Sequence, residues 1–179
     1  MPSEELEERM TRQQLLDKRD VFNLVHGITL RAIETFADNE LDFRPKPGMR
    51  TPRELVFHIY GQEQALAEAA RDGSFTMELA NLSNPEDPSR TAAVSALATV
   101  ADAVGYARAC HDAAERIFRS MSEDDVVRPV NSPFGTYPAW QCLVFAYDEH
   151  WHHRGQLYTY LRLLGKEPPM LYDYQASVG

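Results

Sequence analysis

Only two cysteines, Cys110 and Cys142, occur in 179 residues. That excludes a disulfide framework and suits a reducing compartment, so the chain is expected in the cytoplasm. No apolar run approaches the ~20 residues that a spanning helix needs. The least polar stretch, Ala92 to Ala101, is ended by Asp102, which argues against a membrane protein. Basic residues are scarce, with 18 Lys and Arg against 27 Asp and Glu and a net charge of −9. Nucleic acids and anionic membranes attract clusters of Lys and Arg, so neither is an expected partner. The acidic start, Met1-Pro2-Ser3-Glu4-Glu5, lacks the apolar centre of a secretory signal. Internal repeats, low-complexity tracts and alternating strand patterns of useful length are also missing. What remains is 44% hydrophobic and 25% charged, the balance of a folded soluble protein. The length suits a single domain over 1–179, with a core that needs no staples.

The periodicities predict an all-α fold. Residues 1 to about 10 are charged and are expected to form a frayed tail. From about Arg12 to Ala37, Leu15, Phe22, Val25, Ala32 and Phe36 share one helix face. Pro45, Pro47 and Gly48 then mark a loop. Thr51-Pro52-Arg53-Glu54 offers a hydroxyl at the cap, proline at the first helical position and glutamate two residues on. That is a capping box, and a second helix should run to about Arg71. Leu55, Ile59, Gln62 and Leu66 share its face. Residues 72–90, rich in Asn and Pro, are expected to be a long connection. A third helix is predicted from about Ser89 to Met121, with Val94, Leu97, Ala101, Val104, Ile117 and Met121 on its buried side. A fourth is predicted from Pro138 to Leu164, stopped by Gly165 and Pro168-Pro169. Four helices with apolar stripes make a four-helix bundle.

Three of the six histidines fall in one run of the fourth helix, Asp148-Glu149-His150-Trp151-His152-His153-Arg154-Gly155-Gln156. Side chains four apart on a helix stack on one face, so Glu149 and His153 could grip one ion. His150 and His153, three apart, could do the same. Leu143, His150, Leu157 and Leu164 recur at seven, with Ala146, His153 and Tyr160 interleaved, which puts His153 on the buried stripe and His152 to the side. Spacing alone leaves Glu149 and His150 open as the partner of His153. His58, near the apolar face of the second helix, can supply a third ligand from across the bundle. Three protein ligands leave a coordination position free, the pattern of a catalytic metal. Cys142, one heptad before Glu149, is expected near the site or simply in the core. His26 and His111 have no partner at useful spacing.

These segments resemble the DinB/YfiT-like superfamily of four-helix metalloproteins. The resemblance rests on Thr51-Pro52-Arg53-Glu54-Leu55 leading to His58, and on His152-His153-Arg154-Gly155-Gln156-Leu157 leading through Tyr160-Leu161-Arg162 to Gly165. Arg44 to Thr51 is similar to the first connection of that family. The likeness runs from about Arg12 to Gly165. It implies metal ligation by His58, Glu149 and His153. Most members have histidine where this chain has Glu149, but the mycothiol-dependent maleylpyruvate isomerase branch also uses a glutamate. Two histidines and a carboxylate suit zinc, and they suit iron or nickel as well. Arg154 and Gln156 are expected to support the ligands or the helix packing.

The resemblance also implies a function. Characterised members include transferases that use low-molecular-weight thiols such as mycothiol or bacillithiol. The expectation is a divalent-metal-dependent S-transferase acting on small electrophiles, with Tyr147 and His150 as candidate bases. A metal-dependent hydrolase and a non-enzymatic metal-binding stress protein are the alternatives. A homodimer is expected, with Tyr158 and Tyr160 available to its interface.

Overall fold

The computed structural model describes residues 10–173. Of the tail expected over residues 1 to 10, only Met10 is described, and it packs against the core. The fold is all-α, with one two-stranded hairpin added.

Four long helices carry the structure. Helix α1 spans Arg12–Glu34 and opens on a reciprocal cap between Thr11 and Gln14. Helix α2 spans Pro52–Asp72 and starts on the expected box of Thr51 and Glu54 with Pro52 inside it. The connection after it contains a short helix, α3 (Met77–Asn81), and then a 3-10 turn over Pro88–Arg90 that leads into α4 (Thr91–Ser95). Helix α5 spans Val100–Ser120, and a short α6 covers Glu123–Val127. Strands β1 (Pro129–Ser132) and β2 (Gly135–Pro138) pair antiparallel with Val130 opposite Tyr137. Helix α7 spans Trp140–Leu163 and ends at Gly165, whose φ of 76° only glycine adopts freely.

Two expectations are corrected. The third helix does not begin at Ser89. The chain breaks after α4, and Thr99 and Asp102 cap a new helix at Val100. Reading one helix through that break put the stripe out of phase, so Ala101 is exposed. The buried face of α5 is Ala103, Ala107, Cys110, His111, Ala114 and Phe118. Second, no strand pattern is expected, yet residues 129–138, between the third and fourth predicted helices, form the β1–β2 hairpin, too short for an alternation to be read in advance.

Helices α1 and α2 each pack against both α5 and α7. The order around the bundle is therefore α1, α5, α2, α7. One apolar cluster joins Ile28 to Phe36, Leu55 to Tyr60, Ala103 to Cys110 and Leu157 to Leu161. The other joins Leu15 to Val25, Ala65 to Ala70, Ala114 to Met121 and Ala139 to Ala146. The starts of α2 and α5 thus lie at the same end, and the two helices run in the same direction. This explains the long connection between them. It must carry the chain back along the full length of the bundle, and it passes α2 on the way.

Candidate metal centre

The two apolar clusters are separated by a polar layer at the middle of the bundle. His58 and Glu63 lie near the middle of α2, and Glu149, His150 and His153 near the middle of α7. Successive turns of α7 send these side chains in two directions.

His150 points into the bundle. It is fully buried, with Nε2 3.0 Å from Glu63 Oε2 and its ring edge-on to Phe22 and Tyr60. Glu149 and His153 point toward α2. His153 Nε2 is 3.1 Å from Glu149 Oε2, and His58 Nε2 is 3.5 Å from the same oxygen. The two imidazole rings meet edge to face at 4.9 Å. One ligand atom from each of the three residues lies within 4.8 Å of the other two. His58, Glu149 and His153 therefore stand together, and His150 stands apart from them.

The outer nitrogens of both rings are already engaged. His58 Nδ1 lies 2.9 Å from the Ser83 carbonyl, and His153 Nδ1 lies 2.8 Å from Gln156 Oε1. Both partners are acceptors, so each Nδ1 carries the proton and each Nε2 presents a lone pair. Glu149 adds a carboxylate. Three acceptors thus face one point, and only an added proton or a cation can hold them at these distances. A proton shared at that point holds the Glu149 carboxyl well below the usual carboxylate range, through the hydrogen bond to His153 first and His58 second, although burial pushes it the other way. The donor set fits a divalent ion: two imidazoles and one carboxylate, each imidazole oriented by a hydrogen bond behind it. The side chain of Glu149 is 38% exposed, so the site opens to solvent on that side.

A family model for the DinB superfamily matches residues 22–157. This chain belongs to the DinB superfamily. Among solved structures it is similar to a DinB-like protein, YjoA, from Bacillus subtilis. The two share 19% identity with a TM-score of 0.67, over 87% of this chain and 96% of that one. That likeness concerns the fold. No curated protein matches the chain.

Within this DinB-superfamily bundle, the crossover connection supplies part of the centre. Ser83 is fully buried, and its hydroxyl donates to Gln62 Oε1 at 2.7 Å. Its carbonyl can reach His58 because residue 61 is glycine. A Cβ there would sit 2.9 Å from Ser83 Cβ and 2.9 Å from the Tyr106 hydroxyl. Gln156, three residues after His153 in α7, orients that ring. Arg154 is a packing residue. It is buried, lies over the Trp151 ring at 4.0 Å and reaches the Val25 carbonyl at 3.5 Å.

Other expected residues fall elsewhere. Cys142 is buried in the apolar cluster around Ala139 and Leu143. Tyr147 packs on Phe22 and Trp151, and His150 is committed to Glu63, so neither candidate base is engaged at the trio. Tyr158 and Tyr160, expected at a dimer surface, are buried in the chain's own core, and the Tyr160 hydroxyl donates to the Arg50 carbonyl.

A second constellation was not anticipated. Arg19 of α1 and Glu63 of α2 form a fully buried ion pair at 2.7 Å. His111 of α5 contacts the same Glu63 oxygen at 2.8 Å, and His150 of α7 contacts the other. Each long helix contributes one member. Arg19 also bonds Glu115. A sequence signal did exist, because Arg19 falls at core spacing between Leu15 and Phe22, Glu63 between Ile59 and Leu66, and His111 between Ala107 and Ala114.

Proposed function

We propose that this DinB-superfamily protein is a zinc-dependent enzyme that transfers a low-molecular-weight thiol to small electrophilic substrates. One observation carries the reading. His58, Glu149 and His153 converge as three lone-pair donors whose outer protons are already committed to Ser83 and Gln156. A divalent ion bound there supplies a positive charge that favours a thiolate over a thiol at neutral pH.

The chain's own side chains support an external thiol. Burial pushes the Cys110 thiol up to about 11 and the Cys142 thiol up to about 12. Both are therefore protonated and inert at neutral pH, and neither can serve as the nucleophile. His58 and His153 hold fixed orientations, and the exposed edge of Glu149 marks the side from which thiol and substrate approach. Iron and nickel suit the same donors.

Metal analysis of the purified protein and of His153→Ala tests the site. About one equivalent of zinc in the native chain and loss in the variant are expected, and equal content in both overturns it. A panel of thiols with aryl-halide and epoxide electrophiles then tests the chemistry. Thiol-independent cleavage of esters or amides would instead make the protein a hydrolase. Bound metal without turnover of either kind would make it a metal-binding protein.

A further inference from the structure

The interface of α1 and α5 lies on the opposite side of the bundle from the trio. A cleft of about 600 Å³ opens there. That is the size of a small-molecule pocket. Its floor is His26, which is 9% exposed. The His26 ring lies parallel to His111 at 3.7 Å, and its Nδ1 is 3.0 Å from the Tyr60 hydroxyl.

That contact determines which nitrogen of His26 carries a proton. Tyr60 is fully buried, and His26 is the hydrogen-bond partner of its hydroxyl. Burial and the nearby Glu63 keep the phenol protonated. The phenol must therefore donate to Nδ1, because a buried hydroxyl without an acceptor is costly. Burial and the adjacent His111 keep the His26 ring neutral, with a pKa lowered to about 2. A neutral ring that accepts at Nδ1 carries its proton at Nε2. Among the described residues no group accepts that proton, and Nε2 is not among the buried orphaned atoms, so it reaches the cleft. The result is an N–H donor on a nine-tenths buried ring, aimed into a pocket with no acceptor among the described residues.

The rim supplies the rest of the chemistry. Arg108 stands with Glu34 and Asp112 around the opening, and Arg31, also on the rim, is bonded to Asp173. Glu115 is occupied by Arg19 and Arg119. An inward donor favours a ligand oxygen, and a rim that presents both signs of charge favours a ligand that carries both.

The geometry points to a second ligand site in this cleft, one that takes a small zwitterion of the α-amino-acid class with its carboxylate on His26 Nε2–H. The ligand ammonium then faces Asp112 and Glu34. This site shares no residue with the trio and does not depend on metal there.

Nitrogen-15 spectra of the histidine rings in the full-length chain provide the test. His26 is expected as the Nε2–H tautomer, and the Nδ1–H tautomer overturns the proposal. The common L-amino acids are then titrated, with 4-methylpentanoate and 3-methylbutylamine as single-charge counterparts of leucine. At least one amino acid is expected to shift the His26 resonances saturably. Each single-charge counterpart should bind about tenfold or more weakly than leucine. No saturable shift with any amino acid, or equal binding of the counterparts, overturns the proposal. His26→Leu should weaken binding by about 10–100-fold, the loss of one hydrogen bond to a charged group. Asp112→Asn, an exposed change that leaves folding intact, should weaken it by several-fold. Unchanged affinity in Asp112→Asn and His26→Leu together refutes the site.

Discussion

Two clusters in this molecule are built from the same parts. At the centre, Glu63 meets His111 and His150. Between α2 and α7, Glu149 meets His58 and His153. The first cluster is sealed from water and includes the Arg19 guanidinium, 2.7 Å from Glu63. The second is partly exposed, and no Lys or Arg among the described residues pairs with Glu149. Burial on its own would raise the Glu63 carboxyl, but His111 and Arg19 together hold it well below the usual range. Its charges are balanced inside the protein, so the central cluster is a structural element, in which His150 Nδ1 is buried without a hydrogen bond among the described residues. The trio has donors and no cation. The same residue types thus make a structural knot or a candidate metal centre, depending on whether an arginine is built in.

Matched substitutions should separate the two. Glu63→Gln leaves the buried Arg19 and two buried imidazoles without the central carboxylate, with only Glu115 still paired to Arg19, and should cost about 3–5 kcal/mol of stability, measured by urea unfolding. Glu149→Gln should change the stability of the metal-free chain by less than about 1 kcal/mol, because its carboxylate keeps access to water. It should lower zinc affinity by about 100-fold or more, at least as much as losing an outer partner of a ligand. If Glu149→Gln destabilised the metal-free fold as much as Glu63→Gln, the contrast would fail.

Proton linkage probes the central layer from another direction. The His26 pKa is lowered from 6.5 to about 2, by burial first and His111 second. Above pH 6.5 both folded and unfolded chains hold it neutral. Below that, the unfolded chain takes up a proton that the folded chain refuses. Stability should therefore fall with pH, by up to about 1.4 kcal/mol per unit from this group. His26→Gln should flatten the curve between about pH 6.5 and 4, and an unchanged slope would refute this account.

Smaller effects test the support of the trio. Gly61→Ala should displace Ser83 and cost about 1–3 kcal/mol in stability through overpacking. It should also weaken zinc binding, since the Ser83 carbonyl orients His58. Gln156→Leu removes the acceptor behind His153 and should lower zinc affinity by about tenfold with little change in Tm. Calorimetric zinc titrations of both variants would show whether these outer contacts matter as the geometry implies.

The four long helices were legible because their caps and stripes are local. Thr51, Pro52 and Glu54 state the start of α2 within four residues, and Gly165 states the end of α7. The break at Thr99 was harder to see, because Val94 and Leu97 continue an apolar period across it. His58, Glu149 and His153 could be chosen from spacing and family resemblance. Glu149 and His150 are adjacent on one helix, however, and periodicity offered no choice between them.

The sequence by itself determined the helices, the acidic balance that disfavours phosphate-rich partners, and the residue types able to hold a metal. Tertiary structure decided how those residues divide. Bringing Glu63 against Arg19, His111 and His150 takes all four long helices, and that pairing turns His150 inward. Placing the Ser83 carbonyl behind His58 takes the crossover and the space that Gly61 leaves. Which carboxylate meets a guanidinium and which faces two unprotonated imidazole nitrogens depends on contacts between residues tens of positions apart. Those contacts exist only when the bundle has closed.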